Sequence, residues 1–130
     1  MKRILLIEDD PFLSSLLKNR LQKEEMEVIY ARDGEEALKI LRSEKIDLAL
    51  LDIILPKKSG FEVMEELKND PQTSNSKIPI MIISNLGQPE DVSHGYKLGA
   101  MEYFIKAKTS IDDLVKKIKD FLILGSPDKK

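Results

Sequence analysis

Five short apolar runs recur along the chain, each followed by a stretch of helical periodicity. No other feature restricts the fold as strongly. The first run, Ile4-Leu5-Leu6-Ile7, is unbroken, which marks a strand covered on both faces. It ends at Glu8-Asp9-Asp10-Pro11, where Asp10 can cap a helix and Pro11 suits its first position. Leu13, Leu16, Leu17 and Leu21 then recur at helical spacing. Val28–Ala31 reads as a second strand, and Asp33 and Glu36 stand at capping-box spacing before Ala37, Leu38 and Leu41.

The pattern continues to the far end. Leu48–Leu51 is the third strand, and Ser59 can start a helix carrying Phe61, Met64 and Leu67. Residues 69–76 are a polar loop, and Ile80–Ile83 is the fourth strand. Pro89 opens a short helix that Gly99 closes, and Met101–Ile105 is the fifth strand. Ser110 caps the last helix, whose stripe is Ile111, Leu114, Val115, Ile118, Phe121 and Leu122, with Gly125 and Pro127 as its stop. Five βα units in succession imply a mostly parallel sheet with helices on both faces. Ligands of such sheets bind beyond the carboxyl ends of the strands, where strand order reverses.

Length and composition narrow the class. The 130 residues make one domain, with no room for a second; residues 1–124 are its expected extent and 125–130 a short tail. A net charge of −2, from 21 basic and 23 acidic residues, gives no nucleic-acid footprint. With no cysteine there are no disulfides or thiolate metal sites, which is compatible with a cytoplasmic protein. No apolar run approaches the roughly 20 residues that span a bilayer, and Glu8 comes too early for a signal peptide.

Chemistry collects at the strand ends: Glu8 and Asp9 after the first, Asp52 after the third, Ser84 after the fourth and Lys106 after the fifth. If those strands are neighbours, three carboxylates share one crevice. Two unit charges 4 Å apart interact by about 4 kcal/mol at an effective dielectric of 20. Raised pKa values or a bound cation must relieve that repulsion, and an all-oxygen donor set favours Mg²⁺.

These pieces in order are similar to a response-regulator receiver domain, the phosphorylated module of two-component signalling. The resemblance covers residues 2–124. It rests on Glu8-Asp9, on Asp52 with Pro56, Ser59 and Gly60, on Ser84, and on Tyr103-Phe104-Ile105-Lys106. It implies a flavodoxin-like doubly wound (βα)5 fold with a five-stranded parallel sheet in the order 2-1-3-4-5. It implies that Asp52 is the phosphoacceptor for a histidine kinase, a phosphotransfer protein or a small phosphodonor. Mg²⁺ would be held by Glu8, Asp9, Asp52 and the backbone carbonyl of Ile54. Lys106 would pair with Asp52 and then with the phosphoryl oxygens. Ser84 would donate to the phosphoryl group and move, and Tyr103 would swing inward behind it. Output would run through the fourth helix, fifth strand and fifth helix, toward an unidentified partner protein or a phosphorylation-driven homodimer. Such a chain phosphorylates itself and is no turnover enzyme.

Some positions depart from the family pattern. Ala107 follows Lys106 where a proline with a cis bond is usual, and trans is the default for a non-proline residue. Asn85 stands where a small residue usually follows the hydroxyl. Ile54 and Leu86 occupy positions that influence acyl-phosphate hydrolysis in the family, and neither side chain can orient a water, which predicts a long-lived phosphoryl group. His94, the sole histidine, reads as a surface residue, and Lys57-Lys58 as a solvated turn on the rim of the site.

Three rivals remain. A dehalogenase-type phosphatase needs a second Asp where Ile54 stands. An FMN carrier needs a hydroxyl- and amide-rich loop where Glu8-Asp9 would repel phosphate. A receiver-like binding module that is never phosphorylated would suit Ala107 and Asn85.

Overall fold

The computed structural model describes residues 1–71, 73 and 78–124. Five strands, β1 (Arg3–Ile7), β2 (Glu27–Ala31), β3 (Leu48–Leu51), β4 (Ile80–Ser84) and β5 (Glu102–Ile105), pair in parallel in the order β2-β1-β3-β4-β5. Five helices connect or follow them: α1 (Pro11–Lys23), α2 (Gly34–Ser43), α3 (Gly60–Asn69), α4 (Pro89–Lys97) and α5 (Ile111–Leu124). This is the doubly wound arrangement expected from the alternation, with the strand order expected from the resemblance.

Side chains that alternate along the strands feed two separate cores. Leu5, Ile7, Ala49, Leu51 and Ile82 pack with α2 and α3 on one face. Ile4, Leu6, Leu48, Leu50, Met81 and Ile83 pack with α1 and α5 on the other. Every side chain of β3 and β4 is buried, which is why these strands read as unbroken apolar runs.

The helix starts follow the chemistry of the caps. Asp10 accepts from the backbone of Phe12 and Leu13 ahead of Pro11. Ser59 and Glu62 form a reciprocal capping box. At α2, Asp33 accepts from Glu36 N–H, but the Glu36 carboxylate reaches back to Arg32 N–H instead of the cap itself. Ser110 accepts from Asp113 N–H at the start of α5. Gly99, at φ 110°, closes α4 in the left-handed conformation that a helix end favours.

Several details differ from the sequence reading. Leu16 shares the helical spacing of α1 but is 46% exposed, because the buried stripe runs through Leu17 and Leu21. β4 continues through Ser84, and Met101 precedes β5. A short 3-10 turn over Lys106–Lys108 follows β5. The Lys106–Ala107 bond is trans, as expected for a non-proline residue. Part of the polar 69–76 loop, and the proposed stop at Gly125 and Pro127, lie outside the described residues.

Candidate functional site

Register brings the strand-end residues together. Ile7 pairs with both Ala31 and Leu51, so Glu8 and Asp52 follow at one level of the sheet. Asp52 N–H donates to the Ile7 carbonyl at 2.9 Å, and Glu8 N–H to that of Ala31 at 3.1 Å. Ser84 pairs with Ile105, so Lys106 emerges just beyond it. Parity along the strands matters too. Glu8, Asp52 and Lys106 continue the positions that face α1 and α5, whereas Ser84 and Tyr103 continue those that face α2 and α3.

The Lys106 ammonium stands between two buried carboxylates. Its Nζ lies 2.9 Å from Asp52 Oδ2 and 2.9 Å from Glu8 Oε1. Glu8 is fully buried and Asp52 nearly so, while Asp9 is exposed. Oxygens of Glu8, Asp9 and Asp52 lie within 4.8 Å of one another. Such crowding of carboxylates calls for positive charge among them or a raised pKa.

The two oxygens of Glu8 are not equivalent. Oε2 accepts from Asp10 N–H at 3.0 Å and from Lys106 at 3.2 Å. Oε1 faces Lys106 Nζ but accepts no well-formed hydrogen bond. Burial, reinforced by the Asp52 charge, raises the Glu8 pKa to about 7, even though bonds from Lys106 and Asp10 pull the other way. Lys106 is itself raised: its burial acts downward, but the two carboxylates outweigh it. A buried carboxylate with one oxygen in no well-formed hydrogen bond, beside two further carboxylates of which one opens to solvent, suits a hard divalent cation that keeps part of its water shell. Glu8, Asp9 and Asp52 therefore fit such an ion.

The loop after β3 shapes the other wall. Ile54 N–H donates to Asp52 Oδ1 at 3.2 Å, and the Ile54 side chain is 57% exposed. Gly60 N–H donates to the Ile53 carbonyl at 2.8 Å and closes the loop. A Cβ at Gly60 would overlap the Asp52 carbonyl oxygen and lie 2.8 Å from Ile53 Cα, so only glycine permits that approach.

Across the site, Ser84 is fully buried and its Oγ accepts from Leu86 N–H at 3.2 Å. The Tyr103 hydroxyl donates to the Leu86 carbonyl at 2.6 Å. The ring is half-buried, and burial raises its pKa, with the Asp91 charge adding to the effect. Leu86 thus touches both Ser84 and Tyr103 through its backbone, a link that its apolar side chain does not advertise. Asn85 is exposed. His94 is exposed as expected, but its ring stacks on Phe61 of α3 with centroids 4.2 Å apart.

Comparison with known proteins agrees with this geometry. The family model described as response regulator receiver domain matches residues 4–119. The chain belongs to the response regulator receiver domain family, whose members are signalling modules of two-component systems. The transcriptional regulatory protein CpxR of Escherichia coli K12 is 42% identical over 106 residues, which are 82% of this chain and 43% of that protein. The chain thus spans less than half the length of this relative. The phosphorylated cyanobacterial phytochrome response regulator RcpA superposes with a TM-score of 0.81 at 34% identity, covering 94% of both chains. The Mn²⁺-bound form of response regulator Rcp1 superposes with a TM-score of 0.79 at 30% identity, covering all of this chain and 98% of its own. No helix among the described residues is long and apolar enough to cross a membrane.

Proposed function

We propose that this domain is a Mg²⁺-dependent phosphoaspartate switch in which Asp52 receives the phosphoryl group. The observation that carries this reading is the placement of Lys106 between Glu8 and Asp52, with oxygens of Glu8, Asp9 and Asp52 within 4.8 Å of one another. An Asp52 carboxylate oxygen attacks phosphorus as the bond to the donor breaks; with a kinase phosphohistidine, that is the bond to the imidazole nitrogen. Glu8, Asp9, Asp52 and the Ile54 carbonyl would hold Mg²⁺, which would supply positive charge to offset that on the nucleophile and the phosphoryl group. Lys106 holds Asp52 before transfer and the phosphoryl oxygens after it. Ser84 gives up its bond with Leu86 N–H to meet the new oxygens, and Tyr103, bonded to the same residue, follows. The phosphoaspartate would carry about two negative charges where the carboxylate carried one, and the altered α4–β5–α5 surface passes the change to an output protein or to a second copy.

Two relatives support the reading. RcpA was solved phosphorylated and Rcp1 with Mn²⁺, both on this fold. The partners proposed are a sensor histidine kinase or phosphotransfer protein upstream and an unidentified output protein downstream, in the cytoplasm. Incubation with Mg²⁺ and acetyl phosphate, read by intact mass, tests the switch. A gain of one phosphoryl group that disappears in Asp52→Ala is expected; no gain in the wild type would leave a binding module. The apolar pair Ile54 and Leu86 should make the phosphoryl group long-lived, so Ile54→Asn and Leu86→Glu are expected to shorten its half-life. An unchanged decay in both would refute that part.

A further inference from the structure

The tip of the loop between β3 and α3 is held in a strained turn. Lys58 N–H donates to the Pro56 carbonyl at 2.8 Å, and Lys57 between them has φ 69°. A hydrogen bond two residues back around a positive φ is the rare, strained hand of γ-turn. Lysine has none of the features that ease such a conformation in glycine or asparagine. Strain of this kind persists only where the surroundings over-determine it.

The surroundings here are the start of α2. Lys57 Nζ lies 3.7 Å from Asp33, the cap of that helix, and 3.9 Å from Glu35 in its first turn. Gly34 N–H donates a long bond, 3.4 Å, to the Pro56 carbonyl. A Cβ on Gly34 would overlap the Lys58 carbonyl oxygen and lie 2.6 Å from Lys58 Cβ. Both obstacles sit on or next to the backbone, so no side-chain rotation removes them. Glycine is a poor helix residue, and here the close approach explains its presence. On the other side Lys58 Nζ pairs with Glu66 of α3 at 2.7 Å.

We propose that Gly34 and Lys57 latch the β3–α3 loop to the start of α2 and thereby position the Ile54 backbone beside Asp52. The loop is closed at its neck by the Gly60–Ile53 bond and at its tip by this latch. Only Ile54 and Leu55 lie between Ile53 and Pro56, so pinning both ends restricts them. The consequence for metal binding rests on the reading that Ile54 and Asp52 hold the ion. Gly34 and Lys57 are then positioning residues for a reaction they do not touch.

Gly34→Ala, Lys57→Ala and Lys57→Gly test this in the full chain. Two quantities are read: amide exchange at Ile54 and Gly60 by NMR, and Mn²⁺ affinity by electron paramagnetic resonance. In Gly34→Ala, both loop amides are expected to exchange at least about tenfold faster while Leu114 on α5 is unchanged, and Mn²⁺ to bind about tenfold more weakly. Lys57→Ala should show about a threefold effect on both, because its ion pairs are largely exposed. Lys57→Gly relieves the positive φ, so its unfolding midpoint should not fall, yet its loop amides should exchange as fast as in Lys57→Ala. Unchanged loop amides in folded Gly34→Ala, or loop and Leu114 amides that change together, overturn the latch. If Gly34→Ala does not fold, unchanged loop amides in both Lys57 variants overturn it. A wild type that binds no Mn²⁺ defeats the metal reading, and the amides alone then decide the latch.

Discussion

At the amino end of the sheet, Arg3 reaches Glu44 at 2.6 Å and Glu27 at 3.6 Å, and all three side chains stay partly exposed. At the carboxyl end, Lys106 reaches Glu8 and Asp52 at 2.9 Å each, and both carboxylates are buried. The two ends use the same kind of pair in opposite surroundings. Water screens the first set, so each pair contributes little. The second set has lost its water, and removing one partner leaves charge that nothing solvates. Charge at the amino end sits on a hydrated surface, whereas charge at the carboxyl end is held away from water and depends on its partners.

The sharpest way to break this comparison is Lys106→Met. It should lower unfolding free energy by about 3 kcal/mol in urea at pH 8, because two buried carboxylates lose their common cation. A loss no larger than that of an exposed pair would erase the distinction between the two ends. Nearly as large an effect should come from pH. The Glu8 pKa is raised from 4.5 to about 7 in the folded protein, so the folded state holds a proton that the unfolded state has released. The stability associated with that proton is complete below pH 4.5 and is lost as pH rises through 7, a fall of about 3 kcal/mol. In metal-free buffer, unfolding curves of Glu8→Gln should lack this slope; identical pH profiles would contradict the burial account.

Asp52→Asn should move stability the other way. Removing a like charge beside Glu8 while Lys106 keeps one partner should raise the unfolding free energy at pH 8 by about 1 kcal/mol, a gain typical of silencing a functional site. Calorimetry that finds a loss instead would mean that Asp52 serves stability after all. The smallest expected effect is that of Glu44→Gln at the amino end: a change under about 0.5 kcal/mol that shrinks further in 1 M salt. A larger or salt-insensitive loss would show that this end, too, has been desolvated.

Much of the fold was legible in sequence because its signals are local. Apolar runs bounded by capping residues mark strands and helix starts within a few positions, and the βα alternation leaves few topologies. Glu8, Asp9, Asp52, Ser84 and Lys106 could all be picked out as strand-end residues, since a parallel sheet brings those ends to one edge. Leu16 shows where periodicity stops short: its spacing puts it on the stripe, but a helix buries only the arc that its neighbours cover. Gly34 carried a signal that went unread. A glycine directly after a capping aspartate is a costly helix start, and that cost points to a close backbone approach.

By itself, the sequence determined which elements form, in what order, and which polar side chains end the strands. These follow from the period of hydrophobicity and from caps, which act over three or four residues. Only the tertiary structure decided that Glu8 is fully buried beside the Lys106 ammonium, that the Tyr103 hydroxyl rests on the Leu86 carbonyl, and that Lys57 is held at positive φ against α2. Each depends on groups far apart in the chain, 98 residues in the case of Glu8 and Lys106. Their meeting is set by register and packing, and desolvation, which gives those meetings their strength, exists only once the layers have closed.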